Sequence, residues 1–202
     1  MKTLLTLLLA VTMTPVFADM SGSMQLTSDY FWRGATQTQG KAAIQGGVSY
    51  SKDSGFYAGA WGSTVDFGTE TEIEYDLYTG YAVALDDLAI DVGIIQYNYD
   101  GEMESIEEYY LVMNYGWASF GFWFNDSNID TDYTQIEVDL PFLTFADVTL
   151  RLGEFGDDTN FTQLTFAKDI GENFTLALEV VSEESDLLDL EERMAFTLRY
   201  RF

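Results

Sequence analysis

Residues 193–202 alternate without a break. Met194, Phe196, Leu198, Tyr200 and Phe202 fall on one side, and Arg193, Ala195, Thr197, Arg199 and Arg201 on the other. Side chains sort into two sets with a period of two only in an extended strand, where successive Cβ atoms point to opposite faces. The apolar set contains no charge, whereas the other set carries the arginines. Turning an Arg or Lys toward lipid near the bilayer centre costs roughly 2–4 kcal/mol. A strand of this kind therefore fits a membrane only if its arginines look into an enclosed interior. Alternation by itself fits a soluble β-sandwich equally well, because an apolar face can meet a protein core instead of lipid.

The pattern recurs along the chain, at Ala42, Ile44, Val48 and Tyr50, at Tyr109, Leu111, Met113, Tyr115 and Trp117, at Ile136, Val138 and Leu140, and at Phe174, Leu176, Leu178 and Val180. About twelve segments of roughly ten residues result, the length of a membrane strand. Segments around 56–66, 118–125, 147–155 and 161–168 are weaker, and their faces are not assignable by period. One pair fixes its own register. With Asp86-Asp87 as a two-residue turn, Leu85 opposes Leu88, Val83 opposes Ile90 and Tyr81 opposes Val92 on one face. On the other, Ala84 meets Ala89, Ala82 meets Asp91, Gly80 meets Gly93, Asp76 meets Tyr97 and Glu74 meets Tyr99. A slip of one residue would send every side chain to the wrong face.

The connections also alternate. Counting strands from about Met24, the even gaps are short: Lys52–Gly55, Asp86-Asp87, Gly116–Ser119, Phe142–Asp147 and Lys168–Asn173. Most odd gaps are longer and acidic: Asp100–Glu104, Asn125–Asp132, Gly156–Asn160 and Ser182–Glu192. Short periplasmic turns opposite longer outer loops are the rule in membrane barrels, and an even strand number places both termini in the periplasm.

Residues 1–18 read as an address rather than as structure. Lys2 supplies the positive start, Leu4 to Val11 the short apolar run, and Val16-Phe17-Ala18 gives small residues at the two positions a signal peptidase reads. Cleavage after Ala18 is expected, leaving residues 19–202 as one domain. The chain contains no Cys, so no disulfide can hold it. Closing a sheet on itself satisfies every backbone group instead. Aromatics near strand ends, at Tyr30, Trp32, Tyr109, Trp117 and Trp123, fit interfacial girdles. The expectation is an all-β protein: a transmembrane, antiparallel up-and-down β-barrel of about twelve strands in the outer membrane of a Gram-negative bacterium.

Three stretches carry a family resemblance: Ser28-Asp29-Tyr30-Phe31-Trp32-Arg33-Gly34-Ala35-Thr36-Gln37-Thr38, then Gly55 to Phe67, then Glu72 to Tyr81. They resemble the opening blocks of the TorF-type porins, the proteobacterial Gcw_chp family. That resemblance implies an outer-membrane barrel named as a porin, and it does not name a solute. The end of the chain, with Phe202 last and Tyr200 before it on the apolar face, looks like the signal read by the barrel-assembly machinery.

What the chain lacks narrows its chemistry. There is no histidine, so a Ser-His hydrolase or acyltransferase cannot operate, and no Cys for a thiol nucleophile or a Cys/His metal site. Paired-carboxylate glycoside hydrolysis is the one familiar enzyme plan left, and with 34 acids some pairs lie close by chance. No enzyme is expected. A formal net charge of −25 excludes nucleic acid as a partner. The expected partners are outer-membrane lipid and lipopolysaccharide, the assembly machinery and small solutes.

The interior is expected to be lined by Glu72, Glu74, Asp76, Asp91, Glu137, Asp139 and Glu179 against Arg33, Arg151, Arg193, Arg199 and Arg201. Small residues at Gly47, Gly80, Ala82, Ala84 and Gly93 suggest open space there, and the excess of acids favours cations. No cofactor is expected. A weak metal candidate is Asp126, Asn128, Asp130 and Asp132, whose spacing superficially matches a calcium loop but lacks its turn glycine and flanking helices. A looser reading has this loop hold Ca²⁺ or Mg²⁺ against lipopolysaccharide phosphates. Glu183-Glu184, Asp186, Asp189 and Glu191-Glu192 form an acidic patch that could gather cations at the mouth. The expected function is a porin-like channel passing small solutes by diffusion, probed against a closed barrel with a structural, adhesive or surface-interaction role.

Overall fold

A computed structural model describes residues 19–125, 132–156, 159–184 and 190–202. The strands are β1 (Asp19–Thr27), β2 (Phe31–Trp32), β3 (Ala35–Thr36), β4 (Ala43–Ser51), β5 (Phe56–Thr64), β6 (Ile73–Leu85), β7 (Leu88–Tyr99) and β8 (Ile106–Tyr115). They continue with β9 (Ala118–Asn125), β10 (Tyr133–Asp139), β11 (Asp147–Phe155), β12 (Asn160–Asp169), β13 (Phe174–Glu184) and β14 (Leu190–Arg201). Twelve of them close into an antiparallel barrel, and β2 and β3 form a separate small hairpin. Among the described residues no helix is long and apolar enough to cross a membrane; the crossing is made by strands.

The seam joins the first strand to the last. Ser23 to Thr27 pair with Arg201 to Thr197, and Gly22 and Phe202 exchange backbone hydrogen bonds of 2.9 and 3.0 Å. Closure leaves no free sheet edge along this ladder, which a bilayer requires because lipid offers no hydrogen bonds. The β6–β7 ladder has the register expected from the sequence, pair for pair, from Leu85↔Leu88 to Glu74↔Tyr99. Its turn begins on Asp86 at φ 53°, and the equally tight β8–β9 turn on Gly116 at φ 60°. Asp and Gly enter the left-handed region more readily than other residues.

The outward rows form an apolar belt. Met24, Ile44, Leu77, Val92, Phe120, Ile136, Leu176, Met194 and Phe196 are all exposed. In water such a surface would drive association, since ordinary soluble proteins expose only small apolar patches; against acyl chains it is satisfied. Arg193, Ala195, Thr197, Arg199 and Arg201 lie on the opposite, inner face of β14.

Two expectations need correction. Not all the girdle aromatics sit at the membrane interface. Tyr109 and Trp117 do face outward, Trp117 being 62% exposed, but Trp123 is 5% exposed inside the barrel. Tyr30 and Trp32 lie beyond the end of β1, in the segment that carries β2 and β3. Nor do the lumen glycines leave open space. A Cβ placed on Gly80 or Gly93 would overlap the rings of Tyr57 and Tyr110, and one on Gly47 would press on Trp61. The glycines are seats for inward aromatics. Gly93→Ala is expected to cost about 1–3 kcal/mol by overpacking, because its Cβ would also lie 2.6 Å from the Thr79 carbonyl oxygen, which cannot swing away. Urea unfolding in lipid vesicles measures this.

Candidate functional site

The chain leaves the barrel wall at Ser28, whose N–H and Oγ both engage the Phe196 backbone at 2.9 Å. From there residues 29–38 turn into the lumen, and 39–42 return to the exposed rim before β4. Asp29 organises the turn: its Oδ1 accepts the hydroxyls of Thr36 and Thr38 at 2.5 and 2.7 Å and the Gly40 N–H at 3.3 Å. The Thr38 hydroxyl in turn accepts the Tyr30 N–H at 3.0 Å. These bonds hold β2 against β3, with Trp32 opposite Ala35. Arg33 and Gly34 form the tip, both at positive φ, 48° and 90°. A Cβ on Gly34 would lie 2.6 Å from Phe161 Cβ, so the tip is pressed against the wall.

The Arg33 side chain reaches the far side. In the ring order β1 and β9 stand opposite each other, and Arg33 docks on β8, beside β9. Its Nη1 and Nη2 donate to Glu108 Oε1 and Oε2 at 2.7 and 2.5 Å, and the Tyr97 hydroxyl adds a bond of 3.0 Å to Oε2. The guanidinium carbon lies 4.1 Å from the Tyr133 ring centroid, 4.4 Å from Trp32, 5.4 Å from Trp123 and 5.9 Å from Phe155. Arg33 and Glu108 are each 2% exposed. A bidentate carboxylate with aromatic faces around the cation is a geometry a guanidinium suits and an ammonium does not. The hairpin thus crosses the lumen and is latched to the opposite wall.

Two further networks brace the interior. Tyr57 donates to Asp91 Oδ1 at 2.5 Å and shares a hydrogen bond with the Tyr110 hydroxyl. Across the barrel, Arg151 donates through Nη2 and Nε to Glu137 Oε2 at 2.6 and 2.9 Å and through Nη1 to Gln163 at 3.3 Å. Gln163 reaches Glu179 at 3.3 Å, Arg199 Nε donates to Gln25 at 2.7 Å, and Arg201 pairs with Asp169 at 2.8 Å. Thr149 donates to Asp139 at 3.0 Å.

Placed by residue, Glu74, Asp76, Asp91, Arg151 and Arg199 are buried on inner faces, and Glu137, Glu179, Arg193 and Arg201 are partly buried there. Asp139 is inward but exposed, at the end of β10. Arg33 is inside on the hairpin, not on a strand. Glu72 departs from expectation: it precedes β6, is exposed, and holds a loop through its backbone. Its N–H and that of Ile73 both donate to Asp100 Oδ1 at 3.0 Å, which holds the Asp100 carboxyl below its ordinary range. Asp126, Asn128 and Asp130 lie outside the described residues, as do Asp186 and Asp189; Asp132 is exposed and accepts the Asn125 N–H at 3.3 Å. Tyr200 and Phe202 lie on the outer face, their rings stacked at 6.0 Å.

Sequence reasoning placed Tyr97 and Tyr99 inside but missed Glu108, Asp29 and the inward aromatics Tyr57, Tyr110, Trp123 and Tyr133. Glu108 was findable by parity, since Tyr109, Leu111 and Met113 define the outer face of β8 and put even positions inside. Asp29 and Trp32 carried no such signal.

The model of a bacterial protein family of unknown function, Gcw_chp, matches residues 13–179. The chain belongs to the Gcw_chp family. Among solved structures it resembles the KdgM porin, with TM-score 0.65 at 11% identity over 90% of this chain and 99% of that one. KdgM in complex with disordered oligogalacturonate gives TM-score 0.62 at 11% identity, covering 91% and 98%. Outer membrane phospholipase A from Escherichia coli gives 0.56 at 12% identity, covering 91% and 93%. At these identities the likeness is one of fold, a barrel of the outer membrane. A search of curated proteins finds none that matches.

Proposed function

We propose that this Gcw_chp protein is an outer-membrane channel for small solutes, favouring cations, whose loop end is occupied by the β2–β3 hairpin. The observation that carries this reading is the inner wall. Charged and polar side chains line it from Glu74 and Asp76 near one end to Arg201 and Asp169 near the other. Apolar packing would brace a merely structural barrel at least as well, because buried ion pairs stabilise no better than apolar side chains of similar volume. The likeness to the KdgM porin and the TorF-type resemblance point the same way. Absence of His and Cys from the chain supports a role without catalysis. Lipid and lipopolysaccharide would surround the belt, Tyr200 and Phe202 would present the assembly signal, residues 1–18 would direct export, and Asp91, Glu108, Glu137, Asp139, Asp169 and Glu179 would outweigh the five arginines along the path even with Glu74 and Asp76 neutralised.

A second reading, a closed barrel with a surface role, is favoured by the hairpin crossing the lumen. Planar-bilayer recording separates the two. The channel predicts stepwise conductance and, in a KCl gradient, a reversal potential of the sign set by K⁺. A folded protein that stays silent, both as wild type and with the hairpin released, would establish the closed barrel.

A further inference from the structure

Glu74 and Asp76 stand two residues apart on the inner face of β6 and are 2% and 5% exposed. Glu74 Oε1 receives the Tyr99 hydroxyl at 3.4 Å. Glu74 Oε2 and Asp76 Oδ1 are buried with no hydrogen-bond partner. Among the described residues no Lys or Arg forms an ion pair with either carboxylate. Arg33 is already committed to Glu108, a third acid. An ionised carboxylate removed from water without a counter-charge is among the most costly groups a protein can bury, and two side by side compound the cost through mutual repulsion.

The surroundings supply oxygen and aromatic surface rather than nitrogen cations. Asp76 sits between Trp61 on β5 and Tyr97 on β7, its cross-strand partners, and Glu74 sits opposite Tyr99. Tyr30 from the hairpin meets Trp61 edge-on, with ring centroids 5.5 Å apart. We propose that Glu74 and Asp76 bind a divalent cation of the calcium or magnesium class beneath the hairpin. The donors are hard oxygens, two carboxylates and a phenol hydroxyl, with water completing the shell, as such ions require. A charge of +2 balances both carboxylates together. The site differs from the acidic 126–132 loop and holds whether or not the barrel conducts.

Terbium(III) is the probe, as a calcium surrogate excited through Trp61 and Tyr30. It is titrated into the refolded full-length barrel in micelles, alongside a Glu74→Gln/Asp76→Asn double variant. Wild type is expected to show a saturable sensitised-emission component that Ca²⁺ or Mg²⁺ displaces and that the double variant lacks. Acidic outer loops bind terbium in both proteins, so only the difference counts. Without chelator, added Ca²⁺ should raise the melting temperature of wild type and leave the double variant unchanged. If the double variant does not fold, the single variants serve, each weakening the component at least tenfold. Equal emission and equal Ca²⁺ response in wild type and variants would overturn the site, leaving the carboxylates neutralised by protons alone.

Discussion

Glu108→Ala is expected to release the hairpin from the lumen. The variant leaves the Arg33 guanidinium buried among Trp32, Tyr133, Trp123 and Phe155 with no counter-charge. Stranding one partner of a buried ion pair costs about 3–5 kcal/mol. That penalty falls on a short segment, because β2 and β3 pair only with each other, so the segment can escape it by moving while the barrel stays closed. Limited chymotrypsin digestion of the folded barrel should then cut in the hairpin, after Tyr30, Phe31 or Trp32, at least tenfold faster than in wild type, with heat-modifiable gel migration preserved. Channel conductance should rise in parallel. The Arg33→Glu/Glu108→Arg pair should recover part of the protection, since it restores opposite charges at the same two positions. Chymotryptic rates equal to wild type in Glu108→Ala would show that the latch does not hold the hairpin.

Val92→Arg tests the other face. Val92 lies near the middle of β7, is 46% exposed, and is flanked by Tyr81 and Leu111 on the neighbouring strands. A cation there must enter the acyl region, at a cost of roughly 2–4 kcal/mol, which fades to about 0–1 kcal/mol near the interface. Asp87→Arg in the adjoining turn is the matched control. Urea unfolding in vesicles, followed by tryptophan fluorescence, should show the full penalty for the first and almost none for the second. Equal small costs would mean that the Val92 row does not contact lipid.

How far the interior could be read from sequence varied with the element. Strand β14, with its arginines on one side, and the β6–β7 hairpin, with its turn and every cross-strand pair, were legible because the residues that decide them are neighbours in the chain. The weaker segments 56–66 and 118–125 were not, and the structure shows why. Tyr57, Trp61 and Trp123 point inward, so aromatic residues occupy both faces and the contrast between rows vanishes. Lumen glycines had suggested space; in the fold they mark where a ring from a neighbouring strand lies.

From the chain alone came the expectation of a membrane barrel of about twelve strands, one complete register and the inward side of the charges on its clearest strands. Those follow from a period of two together with the cost of charge in lipid, which are local properties of each strand. It took the closed barrel to bring Asp29 to Thr38 inward instead of extending the first strand, and to set Arg33 against Glu108, 75 residues away. No periodic pattern encodes that pairing, because barrel closure is what brings β1 and β8 to opposite sides of one low-dielectric space where a guanidinium must find a carboxylate.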